Sequence, residues 1–180
     1  MAHPNTDRLI DYWRQRRGAR EAPTRASIDP THFTDLLPQI FIAGVASLGN
    51  YPLRLSGGFI AELHGRDLRA ENLVTLWSHA DRARLQSGIE IARRRAEPFV
   101  VEADIHAQGV PTVGLEVLFA PLLGPSGETD RILGLYQPLS MISRLQGRPA
   151  QTLAIRTMAP AAGPERPALR LATLDGRLIA

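Results

Sequence analysis

Residues 54–77, RLSGGFIAELHGRDLRAENLVTLW, constrain the fold of this chain more than any other stretch. Arg54-Leu55-Ser56 reads as a strand that runs into the glycine break Gly57-Gly58. Residues 59–63 read as a short helical piece closed by Gly65, and residues 72–77 as a second short apolar segment. A long regular helix would need an unbroken apolar stripe at helical spacing. Here glycines and Asp67 keep interrupting the pattern. A strand followed by short, broken helices predicts an arm wrapped over a sheet, with a pocket beneath it.

The flanking sequence supplies that sheet. Residues 6–18 read as a helix, with Asn5 or Thr6 as cap, Asp7 at its positive end and Gly18 at its exit. Asp29-Pro30 opens a short helical turn limited by Pro38. Strand signals fall at 40–46 and 51–56, with Gly49-Asn50 as a turn, and again at 99–107, 112–122 and 131–138. Between the two strand groups lies the clearest helix, 78–96, with Ser78 as its expected cap and Leu85, Gly88, Ile89 and Ala92 on one stripe. Hairpin-length connections favour an antiparallel sheet. The predicted class is therefore α+β: a five-stranded antiparallel sheet with short helices and one long helix on one face, plus an N-terminal helix. Three regions are expected: an N-terminal helix and basic linker (1–25), the main domain (26–147) and a Pro-rich tail (148–180). Leu169 to Ile179 in that tail reads as a possible small hairpin around Asp175-Gly176.

Several short segments carry a family resemblance. They are Tyr12-Trp13 with its Arg/Gly-rich exit; Pro23-Thr24-Arg25 before Ile28-Asp29-Pro30; Arg54-Leu55-Ser56-Gly57; and Gly65-Arg66-Asp67-Leu68 before Leu76-Trp77. Glu116, Pro121-Leu122 and Ile132-Leu133-Gly134 extend it. Over residues 8–140 the chain resembles the small stand-alone PAS domain proteins of bacteria. The resemblance implies a PAS-like fold and a sensory or adaptor role in bacterial signalling. It does not imply a particular ligand; a small apolar ligand, a protein partner or homodimer, or both, are expected, and the chain carries no signature of a kinase, cyclase, phosphodiesterase or DNA-binding output domain.

Composition narrows the alternatives. No run of 18 apolar residues exists, and the first residues lack the basic and apolar regions of a signal peptide, so a cytoplasmic protein without membrane contact is expected. The absence of cysteine excludes disulfides, thiol catalysis, cysteine-ligated metals and a flavin–cysteine adduct. All 21 basic residues are Arg. Six of them lie in residues 1–25 against Asp7, Asp11 and Glu21, a local excess of +3, and the other 15 are balanced by 15 acids. No broad basic face is predicted, and no nucleic-acid partner.

The pocket beneath the arm would be lined by Leu55, Phe59, Leu63, Leu73, Trp77, Leu85, Ile89 and Ala92, with Val101, Leu118 and Leu135 from the sheet. Ordinary core filling is the competing reading of each. Trp77 stands out because an indole offers both a stacking face and one donor. Leu9, Ile10 and Trp13 form a stripe on the N-terminal helix suited either to packing on the chain's own domain or to a partner. No histidine pair has zinc-binding spacing. His79 and His64 are weighed as haem ligands and read instead as surface or capping residues, so neither haem nor flavin is expected. An enzyme reading rests on Glu62, Asp67, Asp104 or Glu116 as a buried base. With no nucleophile elbow, phosphate loop or dinucleotide motif present, a non-enzymatic protein is expected.

Overall fold

A computed structural model describes residues 2–161. Six strands, β1 (Ile40–Gly44), β2 (Leu53–Ser56), β3 (Phe99–His106), β4 (Val113–Leu123), β5 (Thr129–Pro138) and β6 (Thr152–Pro160), form one sheet in the order β2-β1-β5-β4-β3-β6. Every neighbouring pair is antiparallel. The five expected strands are present, and a sixth adds to the β3 edge. It comes from the front of the region read as a Pro-rich tail. Thr152, Ile155 and Thr157 are β-branched, and Pro160 closes the strand at an edge, where a missing N–H breaks no interior ladder. The possible hairpin around Asp175-Gly176 lies outside the described residues.

Among the described residues three α-helices accompany the sheet: α1 (Pro4–Arg17), α2 (Gly58–His64) and α3 (Arg82–Arg95). The N-cap of α1 is His3, whose Nδ1 accepts the Asn5 N–H at 3.2 Å, with Pro4 in the first turn where its missing donor costs nothing. The cap thus falls two or three residues earlier than Asn5 or Thr6. Helix α3 begins four residues after Ser78. The Ser78 hydroxyl is held by the Asp81 carboxylate at 2.5 Å instead of capping the helix. The same carboxylate oxygen accepts the Ile155 N–H at 3.0 Å, pinning the start of α3 to β6.

Alternation along the strands sorts side chains into two cores. Phe41, Ala43, Val101, Val117, Phe119 and Tyr136 point to one face, under α2, the 3-10 turn Leu73–Leu76 and α3. Ile40, Ile42, Leu118, Ala120, Leu133 and Leu135 point to the other, under α1 and the 3-10 turn Pro30–Gln39. The sheet is therefore covered on both faces. One irregularity matters for the site. Between β1 and β2 the register shifts, with Ile42 opposite Leu55 and Ala43 opposite Leu53. The extra residue, Arg54, is a bulge, and it turns Leu55 outward.

Candidate ligand site

The inner core is organised by aromatic rings. Phe41 on β1 lies edge-on to Phe119 on β4 and to Tyr136 on β5, with centroids 5.9 and 5.8 Å apart. Phe119 stacks on Phe99 at 4.8 Å and 9°. Gly134 makes this layer possible: it lies opposite both Phe41 and Phe119 in the ladders, and a Cβ there would sit 1.9 Å from the Phe41 ring.

Two residues of the arm complete the layer. His64 is the last residue of α2. Gly65 follows with φ +66, and its N–H closes back on the Ala61 and Glu62 carbonyls, so the chain turns sharply and His64 is tucked inward. Its ring lies 6.1 Å from that of Tyr136, and the Ala150 N–H donates to the carbonyl of the preceding Leu63 at 2.8 Å. Burial, with help from the Arg66 charge, lowers its pKa to about 4, so the ring is neutral near pH 7. Trp77 leaves the 3-10 turn and bridges to Leu153 of β6, and its ring lies 6.3 Å from Phe119.

Of the eight described residues with a buried, unpaired polar side-chain atom, His64, Trp77 and Tyr136 are the three in this aromatic layer. They are 3%, 1% and 0% exposed. Yet His64 Nε2, Trp77 Nε1 and the Tyr136 hydroxyl are buried without a hydrogen-bond partner among the described residues. Buried polar groups are nearly always paired, because an unpaired one costs about 1–3 kcal/mol. Burial also raises the Tyr136 phenol pKa, which keeps the hydroxyl protonated. The layer thus offers an indole donor, a phenol that donates or accepts, and a neutral imidazole nitrogen, all set among apolar walls.

The residues expected to line a pocket divide three ways. Leu63, Leu73, Trp77, Leu85, Ile89, Ala92 and Val101 are brought together in this inner core, with Phe59 half-buried at its margin. Leu118 and Leu135 are corrected: each sits one position out of phase with Val117 or Tyr136 and belongs to the outer core. Leu55 is corrected by the bulge and is 42% exposed. Of the two readings of the N-terminal stripe, the structure shows packing on the chain's own domain, and Leu9, Ile10 and Trp13 as a partner anchor are corrected. Leu9, Ile10 and Trp13 are buried against the chain's own sheet, and the Trp13 indole donates to the Pro121 carbonyl at 2.8 Å.

Of the two histidines weighed, His79 is exposed before α3, whereas His64, read as a surface or capping residue, is in the core. The four carboxylates lie apart. Glu62 is exposed, Asp67 is paired with Arg69, and Asp104 with Arg156. Glu116 is buried on the outer face and accepts the His3 N–H at 3.0 Å, holding the start of α1. Among the described residues no group of three or more His, Asp or Glu could hold a metal, and no helix is long and apolar enough to cross a membrane. Sequence reasoning puts Phe119 on one strand face with Val113, Leu115 and Val117, as found, but not in the pocket, and passes over Phe41 and Tyr136. The signal for Tyr136 was its phase: Ile132, Gly134 and Tyr136 alternate onto the inner face.

An antiparallel sheet with a broken helical arm on one face and a polar-studded aromatic core beneath it defines the PAS class of α+β domain. The sequence model of the PAS domain family matches residues 1–137, and the chain belongs to that family. No curated protein matches it. Among solved structures, it is similar to an RNA-binding Light-Oxygen-Voltage receptor, with 15% identity over 66% of this chain and 35% of that one, TM-score 0.49. The chain thus spans about a third of that receptor's length. It is also similar to the Rhodobacter sphaeroides LOV protein (14% identity, 64% of this chain and 70% of that one, TM-score 0.47). A PAS domain from a Colwellia psychrerythraea protein is another such structure (12% identity, 61% and 95% covered, TM-score 0.47).

Proposed function

We propose that this chain is a PAS-type sensory protein that admits a small, largely apolar ligand between the helical arm and the inner face of the sheet. The observation that carries the reading is the set of three unpartnered polar atoms, on His64, Trp77 and Tyr136, in one aromatic layer. A core maintained only for stability gains nothing from them, since phenylalanine or leucine would fill the same space without the desolvation cost. A ligand with one acceptor for the indole and one hydroxyl or amide for the phenol and imidazole would satisfy all three.

The arrangement is closed, so binding requires the arm, residues 58–77, to move outward. Its short helix and glycine boundaries suit it to local opening. Such a displacement is the signal, because a ligand shifts a conformational equilibrium by its differential affinity for the two states. In this reading residues 26–147 form the sensory core, extended by β6, and α1 is an integral cover of the outer face. Signalling rather than catalysis is the function, with Glu62, Asp67, Asp104 and Glu116 separated and each in an ordinary setting. The test is mass spectrometry of purified protein, native and then denatured. A small organic mass that survives native desalting, is released on denaturation and is diminished in Tyr136→Phe supports the reading. Ligand-free protein that also takes up nothing from a concentrated cell extract refutes it.

A further inference from the structure

The two edges of the sheet are closed to different extents. At β2 the arm covers the edge: the Leu53 N–H donates to the Glu71 carbonyl at 2.9 Å, and the Ala70 N–H to the Leu53 carbonyl at 2.8 Å. At β6 the cover stops midway. The Leu153 carbonyl accepts the Ser78 N–H at 2.7 Å and the Ile155 N–H reaches Asp81, but among the described residues nothing bonds to the outer edge of 157–160. The Ala161 N–H donates to the Pro98 carbonyl at 2.9 Å, and Pro160 lies opposite Phe99. Bonded and unbonded pairs alternate in an antiparallel ladder, so Met158, opposite Val101, turns its N–H and carbonyl away from β3. Arg156, the charge that would guard such an edge, is paired with Asp104 on β3 at 3.3 Å.

Helix α3 runs beside β6 in the same direction, with Asp81 at Ile155, Gly88 at Met158 and Arg95 near Pro160. Gly88 permits the approach, since a Cβ there would sit 2.8 Å from the Met158 sulfur. The two elements then part into a groove of about 250 Å³ lined by Ile91, Ala92, Phe99, Met158 and Pro160, with Arg95 and Glu97 on its rim. Arg84, Gly88, Ile91 and Arg95 form one row at helical spacing along it. The exposed residues of α3 are Ala83, Arg84, Ser87, Ile91, Arg94 and Arg95, none of them acidic. The acid within α3, Glu90, is held by Arg93 and Tyr51. We infer that the open half of β6 takes up an extended acidic segment of another protein as an added strand, with one bulky apolar side chain in the groove. The Met158 N–H and carbonyl anchor its backbone. Acids two residues to either side of the apolar anchor lie about 13 Å apart along a strand. Arg84 and Arg95 are about 16 Å apart along the helix, within reach of those acids through their long side chains. These exposed ion pairs select the partner, and the groove and backbone bonds supply most of the affinity. A second copy fits poorly: a two-fold at Met158 reverses its direction and sets Arg84 of one copy against Arg95 of the other. The chain's own residues 162–180 carry three Arg against two acids, the wrong sign for this face.

The test is titration of the ¹⁵N-labelled full chain with the peptide DEVFVED. Shifts are expected in residues 157–160 and along α3, at sub-millimolar peptide, and exchange of the Met158 amide with solvent, fast in the free protein, should slow on binding. KKVFVKK, DEVSVED and a DEVFVED with its central amides N-methylated each lack one recognised feature, and each should bind about fivefold more weakly or worse. Arg84→Glu, Ile91→Glu and Arg95→Glu are exposed changes that leave the fold intact, and each should weaken DEVFVED by a similar factor. Equal binding of DEVFVED and KKVFVKK, or of DEVFVED and DEVSVED, would overturn the inference, as would no response at millimolar peptide. A Met158 amide already protected in the peptide-free chain would also overturn it, and would give this face to a second copy or to residues 162–180.

Discussion

Replacing Tyr136 by Phe removes one oxygen from the centre of the inner core. That oxygen is fully buried and unpartnered. In the ligand-free protein the desolvation it imposes, about 1–3 kcal/mol, is uncompensated. The ring that remains keeps its edge-on contacts with Phe41 and His64. Against the gain stands a small void where the oxygen was, so the net expectation is a stabilisation of about 1 kcal/mol. For a chain of this length that is a rise in Tm of about 2–4 °C. The assay is urea unfolding followed by circular dichroism, on protein that has been denatured, desalted and refolded to strip any ligand. The ligand-loaded protein should respond in the opposite sense. There the hydroxyl makes a hydrogen bond worth about 1 kcal/mol, so Tyr136→Phe should hold its ligand about fivefold less tightly. If the stripped variant is less stable than wild type by more than about 1 kcal/mol, the hydroxyl is satisfied in the empty protein and the argument fails.

Other expectations follow from the same core and its cover. His64 has a folded-state pKa near 4 against an ordinary 6.5, so the unfolded chain binds its proton first as pH falls. Its contribution to stability is present above pH 6.5 and is lost progressively down to about pH 4. Between pH 7 and pH 5 the wild type should therefore lose about 2 kcal/mol more than His64→Gln in urea unfolding, and equal losses would place the ring in solvent. Trp13→Ala should cost about 3–5 kcal/mol with unchanged oligomeric state by light scattering, since the indole is enclosed by its own domain. A lost oligomer without lost stability would restore the partner-anchor reading. Gly134→Ala should cost about 1–3 kcal/mol by driving a methyl into the Phe41 ring, and unchanged stability would show that ring free to move.

The order of elements was legible because each carries its own period: alternation at 113–119, a helical stripe through Leu85, Ile89 and Ala92, and glycine or proline at most joins. What was not legible depended on two sides competing for the same strands. Leu118 and Leu135 are as apolar as Val117 and Tyr136, and only the presence of a second cover, α1, explains why both faces of β4 and β5 are hydrophobic. That cover is also why Trp13 reads as a stripe in search of a surface when its surface is the chain's own sheet. Leu55 was misplaced by a single bulged residue, which period-two reasoning cannot foresee. His64 was misread because its burial is set by the αL turn at Gly65 and by the Ala150 segment, whose N–H bonds the Leu63 carbonyl 87 positions away in the sequence. Its neighbours in the chain say nothing of that contact. The sixth strand was hidden by the prolines around it, which mark its ends.

The two tryptophans allow the central claim to be tested inside one molecule. The Trp13 indole is bonded to the Pro121 carbonyl, while that of Trp77 has no partner among the described residues. An indole N–H that is hydrogen-bonded resonates downfield of one that is not. In a ¹H–¹⁵N spectrum of the stripped protein, assigned with Trp13→Phe, the Trp77 signal should lie upfield of the Trp13 signal. On addition of the fraction that co-purifies with the protein, or of a ligand found by mass spectrometry, it should move downfield while Trp13 stays in place. A Trp77 signal already downfield in the stripped protein, and indifferent to every such addition, would show that the inner core is a packed interior and not a ligand site.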